Sequence, residues 1–146
     1  MGRYFSKSVR ILLAIITLAL GGLIYYTYRT DTLIMFNWAY RLGLENFITY
    51  IRDFNSASKP SDFIIYCLPN ALWATSYLIA IDTLVNVEDH KLEWGLFLPI
   101  IATILETLQA FNIIPGTFDL LDIICFITPA IIYLAYYKIT YYAKNY

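Results

Sequence analysis

Ile11-Leu-Leu-Ala-Ile-Ile-Thr-Leu-Ala-Leu-Gly-Gly-Leu-Ile-Tyr-Tyr-Thr-Tyr28 runs for eighteen residues without a charge. Coiled as an α-helix, such a run covers about 27 Å, close to the hydrocarbon thickness of a bilayer. A lone strand of the same residues would leave its backbone groups unpaired in lipid, so a spanning segment of this kind is helical. Three further stretches read the same way. Residues 63–85 hold Asp82 near their end, residues 94–114 hold Glu106 well inside, and residues 120–137 hold Asp122 near their start. The composition agrees. Hydrophobic residues make up 60% of the 146-residue chain and charged residues 14%, against about 45–50% and 25% in soluble domains. A net charge of −1 with no basic patch excludes a nucleic-acid binder. Two cysteines and one histidine make no disulfide framework and leave little scope for a metal. The expectation is one all-α membrane domain, residues 1–146, with four transmembrane helices and no cofactor or metal.

The first span follows Arg3, Lys7 and Arg10. It resembles a secretory signal, but its apolar run is too long and no small-residue cleavage site follows. It reads as an uncleaved anchor. Residues 1–6 also match the myristoylation pattern, for which a four-span protein has no need. Four spans put both termini on one side, with Arg3, Lys7, Arg10, Lys91, Lys138 and Lys144; Arg29, Arg41, Arg52 and Lys59 fall on the other. The positive-inside rule then places both termini in the cytoplasm. Between the first two spans, Leu44, Phe47, Ile48, Ile51 and Phe54 recur at helical spacing. An amphipathic helix over about 33–54, lying flat on the outer leaflet, is expected there. Tyrosines cluster at 25, 26 and 28 and again from 133 onward, as aromatic belts do at the headgroup level. Pro69 and Pro99 are placed near helix starts, and Pro129 mid-helix, where it should kink the fourth span.

Polar residues inside these segments carry the functional reading. Glu106 lies about twelve residues into the third span, where an acid costs about 2.5–3.5 kcal/mol on insertion scales. Such groups pair with another helix or line a wet cavity. Gln109 shares its face at i+3. Asp119 suits the cap of the fourth helix, and Asp122 lies one turn inside it. Across a tight Pro115-Gly116 turn, these two acids can approach Glu106 and Gln109 as an acidic cluster open to the outer surface. Asn70, Trp73 and Tyr77 share one face of the second span at i, i+3 and i+7, so Asn70 and Trp73 are placed at the mouth. Asp82 is explained as well by interfacial solvation, His90 as a solvated loop residue, and Cys67 and Cys125 as small groups packing between helices. No hydrolase triad, Walker sequence or metal-ligand spacing is present.

The stretch Glu106-Thr-Leu-Gln109 followed by Pro115-Gly-Thr-Phe-Asp-Leu-Leu-Asp122 resembles the hallmark of VanZ-like bacterial membrane proteins. In that family a Glu-x-x-Gln pair closes one span and a Gly-Arg-x-Phe-Asp-x-x-Asp turn opens the next. The resemblance covers about residues 63–137. Here Thr117 follows Gly116 directly and the arginine is missing; Asn70 and Trp73 stand near the family's Asp-Lys and His. The last span shows Phe126 and Pro129 near the family's Asn and Gly. The resemblance implies a multi-pass protein of the bacterial cytoplasmic membrane, linked to resistance to teicoplanin-type lipoglycopeptides. The acidic cluster is then expected to bind a lipid headgroup, a lipid-linked envelope intermediate or a glycopeptide, held by Glu106, Gln109, Asp119 and Asp122, with Asn70 and Trp73 shaping the mouth. Two other readings stay open. One is a membrane enzyme on lipid-linked substrates, using carboxylates as acid and base. The other is a structural or assembly subunit, in a homo-oligomer or with a partner membrane protein, its acids paired with a partner helix.

Overall fold

A computed structural model describes residues 6–85, 88–115 and 118–145, leaving undescribed the side chains of 88–90 and 140–145. The myristoylation pattern, apart from Ser6, and Gly116 and Thr117 of the turn lie outside these residues, as do the side chains of His90 and of the tyrosines from 141. Every regular element described is helical. In order they are α1 (Lys7–Tyr28), α2 (Ile34–Arg41), α3 (Glu45–Phe54), a π-helical turn (Phe63–Cys67), α4 (Leu68–Leu84), α5 (Glu88–Ala110) and α6 (Leu120–Asn145).

Four helical segments are long and apolar enough to cross a membrane: Lys7–Tyr28, Phe63–Leu84, Lys91–Ala110 and Leu120–Ile139. Between 11% and 28% of their most apolar windows is buried inside the protein, so most of these side chains point outward. Leu12, Ile15, Phe97 and Ile131 are each more than half exposed. An exterior this apolar suggests a membrane protein, with hydrocarbon as the solvent of its flanks.

α4 is the hub. It packs against α1, α5 and α6, most extensively against α1. The α1–α4 pairing is antiparallel and built on small groups. Ser76 Oγ donates to the carbonyl of Ala14 at 2.7 Å. Gly21 receives Trp73: a Cβ there would come within 2.6 Å of the indole Nε1. Small residues at helix crossings let backbones approach where lipid supplies no hydrophobic drive. At the far end of the same interface, Arg10 Nη1 meets Asp82 Oδ2 at 2.6 Å, each side chain 16% exposed. These two charges, read from the sequence as a flanking cation and a solvated interfacial acid, form an ion pair between helices.

The segment after α1 differs from the continuous amphipathic helix anticipated over 33–54. It forms two helices, α2 and α3, broken at Gly43, whose φ of +76° suits the left-handed position that ends a helix. The Leu44 N–H returns to the Ala39 carbonyl and the Gly43 N–H to Tyr40, as in a Schellman cap. Phe36, Ala39 and Ile48 are buried together and pack against Tyr25, Tyr26 and Leu33. The tyrosines assigned to an aromatic belt are thus partly core. Arg52 reaches back from α3 and donates to the carbonyls of Tyr26 at 3.1 Å and Arg29 at 2.8 Å. A cation there satisfies carbonyls the α1 C-terminus leaves open and complements its dipole.

Two further boundaries depart from the sequence reading. Pro99 lies inside α5, about three turns in, rather than near a helix start. α5 ends at Ala110, short of 114, because Asn112 adopts φ +56°. The N–H groups of Asn112 and Ile113 return to Gln109 and Leu108, a second Schellman-type cap, with asparagine in the glycine position.

Candidate functional site

The polar residues of the third and fourth spans meet at the end of the bundle where α5 gives way to α6. Asp119 precedes α6, and its Oδ1 accepts from the Leu121 N–H at 2.8 Å, the capping role that its place in the sequence suggests. Its own N–H points back to Glu106 Oε2 at 3.5 Å. Asp122, in the first turn of α6, accepts at Oδ1 from Asn70 Nδ2 at 2.8 Å. Asn70 also donates to the Tyr66 carbonyl at 3.3 Å, which fixes the amide from the π-helical turn below it. The like charges of Asp119 and Asp122 both act on Glu106. Asn70, Glu106, Asp119 and Asp122, drawn from α4, α5 and α6, thus share one neighbourhood, although 52 residues separate Asn70 from Asp122.

Two expected members stand apart. Gln109 lies half-buried on α5, and no hydrogen bond joins its side chain to these carboxylates. Trp73 turns away toward α1, its ring 5.3 Å from that of Tyr25 and seated over Gly21. Tyr77, on the same nominal face, donates its hydroxyl to the Trp94 carbonyl of α5. Asn70, Trp73 and Tyr77 therefore serve α6, α1 and α5 respectively. A shared helix face does not mean a shared partner when three helices crowd around one.

One contributor was not singled out from the sequence. The Arg29 guanidinium lies over the Tyr66 ring at 4.7 Å and near Tyr25 at 5.6 Å, close enough to act electrostatically on Asp122. Its signal in sequence was a lone arginine closing the Tyr25–Tyr28 cluster. Beneath Asp122 by one turn, the buried thiol of Cys125 lies beside buried Cys67, in the helix-packing role expected of both from the sequence. Both cysteines are free and pack α6 against the turn that begins the second span.

Carboxylates accept hydrogen bonds and attract cations. The arrangement suits a ligand rich in donors, such as amines or sugar hydroxyls, with Asn70 and Arg29 supplying the complementary donors. Among the described residues no group of three His, Cys, Asp or Glu could hold a metal ion. A cavity of about 290 Å³ lies at the opposite end, between α1, α4 and α6. Comparison with family models, curated proteins and solved structures gives no match.

Proposed function

We propose that the chain is a VanZ-like multi-pass protein of the bacterial cytoplasmic membrane, with both termini cytoplasmic. The observation that carries this reading is the convergence of Asn70, Glu106, Asp119 and Asp122 at one end of the bundle. Glu106, Asp119 and Asp122 belong to the stretch that resembles that family, and Asn70 stands near the family's Asp-Lys. On this topology the cluster lies beneath the outer surface, and α2 and α3 pack on the end of α1 at the outer interface. Their exposed Trp38, Leu42, Phe47, Tyr50 and Phe54 suit the headgroup boundary. The cluster binds a donor-rich headgroup or envelope intermediate, and by sequestering it the protein lowers susceptibility to teicoplanin-type lipoglycopeptides. Glu106 and Asp122 accept from the ligand, Asp119 holds the rim, and Arg29 pairs with any anionic group beside them.

A host expressing the chain is expected to tolerate more teicoplanin than a host expressing Glu106→Gln at equal membrane abundance. Equal tolerance at equal abundance defeats the proposal. A second reading has an observation in its favour. The cluster satisfies itself, Asn70 on Asp122 and Glu106 on the Asp119 N–H, as a helix-joining or subunit-joining network would. Under that reading Glu106→Gln is depleted from the membrane instead.

A further inference from the structure

The cavity at the Arg10 end has no part in the acidic cluster. Its walls are Leu78, Ile79 and Thr75 of α4 and Pro129, Ile132 and Tyr133 of α6, and Arg10 and Asp82 lie at its margin. α4 sits between α1 and α6, and the hollow lies over α4 between them. Its chemistry is graded. Apolar walls occupy the bilayer-facing depth, and the Arg10 guanidinium meets them toward the start of α1. Asp82 takes one hydrogen bond from that guanidinium, which carries five donors. Lys7, exposed and one turn before Arg10, shares its side of α1. Ile132, on the wall, is 65% exposed, so the hollow opens sideways to the surroundings of the helix.

We propose that this cavity is a lipid site. It takes one acyl chain of an anionic glycerophospholipid along Leu78, Ile79 and Ile132, with the phosphate held by Arg10 and Lys7. The occupant follows from the chemistry. An apolar slot open to hydrocarbon admits a chain, about 290 Å³ suits part of one chain rather than a whole lipid, and Lys7, together with the Arg10 donors that Asp82 leaves over, selects a negative head. An empty hollow of this size would forfeit dispersion contacts on every wall.

Native mass spectrometry of the full chain in mild detergent, titrated with phosphatidylglycerol, phosphatidylcholine or oleate, tests the site. One tightly retained phosphatidylglycerol is expected, with phosphatidylcholine held more weakly. Ile132→Trp fills the opening and is expected to weaken retention about tenfold. Ile131→Trp, equally exposed on the same helix but off the wall, keeps it. Lys7→Gln lowers the preference for phosphatidylglycerol about fivefold. Matching circular dichroism and elution establish that each variant is folded. Retention unchanged in Ile132→Trp, or lost equally in Ile131→Trp, overturns the site. Oleate held as well as phosphatidylglycerol, or a preference indifferent to Lys7, overturns the assignment of the head.

Discussion

The two ends of the bundle hold their charges in different ways. At one end Arg10 and Asp82 cancel across the α1–α4 interface at 2.6 Å. At the other, Glu106, Asp119 and Asp122 gather from α5 and α6, moderated by a neutral amide, a backbone N–H and a more distant arginine. Burial of charge is tolerated where a partner of opposite sign is in contact. The Arg10–Asp82 pair is therefore a structural clasp, and Lys7 adds a positive charge beside it. The acidic end has more carboxylate acceptors than its amide and backbone donors occupy.

The contrast is broken most severely at the clasp. Asp82→Leu leaves the Arg10 guanidinium without its counterion, and Arg10 Nε already lacks a hydrogen-bond partner. Breaking a buried pair costs about 3–5 kcal/mol, and the partial exposure of both groups favours the lower end of that range. The double variant Arg10→Met with Asp82→Leu should recover most of the loss, since an apolar pair of similar bulk replaces the ions without stranding either. Denaturant titration of the four proteins in one detergent measures the coupling. Additive single effects would mean that the ion pair does not hold α1 to α4.

A smaller effect is expected midway between the ends. Gly21→Ala drives a methyl to within 2.6 Å of the Trp73 indole and 3.2 Å of the Pro69 carbonyl. Overpacking of this kind costs about 1–3 kcal/mol. Gly22→Ala is the control, because nothing lies within 4 Å of its added carbon. The same titration should show Gly22→Ala neutral or slightly stabilised. If both variants lose stability equally, the loss comes from helix propensity or lipid contact, and the tight crossing of α1 and α4 is not its source.

Much of the architecture was legible because bilayer physics leaves few choices. Four uncharged or nearly uncharged stretches dictate four helices whatever packs against them. The meeting of Glu106 with Asp119 was legible too, since a short connection forces α5 and α6 side by side. Other features needed coordinates. That Asn70 faces α6 while Trp73 faces α1 depends on which helix lies where around α4, and helical periodicity carries no such information. Arg10 and Asp82 are 72 residues apart, and each has an ordinary reading alone as an interfacial charge. Asn112 ends α5 through a left-handed backbone that asparagine tolerates. In sequence its signal is weaker than the Pro115-Gly116 turn that follows it. Gly43 likewise sits inside an amphipathic pattern continuous enough to read as one helix.

The smallest effect should come from the acidic end, and it separates the two kinds of charge most directly. Asp122→Asn keeps the shape of the side chain and its carbonyl oxygen, so Asn70 can still donate across α4 and α6 as it does at 2.8 Å. The change also removes one like charge from the neighbourhood of Glu106 and Asp119. The lost charge–amide attraction and the relieved repulsion oppose each other. A net hydrogen-bond difference of about 1 kcal/mol or less is therefore expected, well below the cost of Asp82→Leu. Denaturant titration in the same detergent decides it. A loss as large as that at the clasp would show that Asp122 is held by its charge, with Arg29 as a true counterion, and would make the two ends alike.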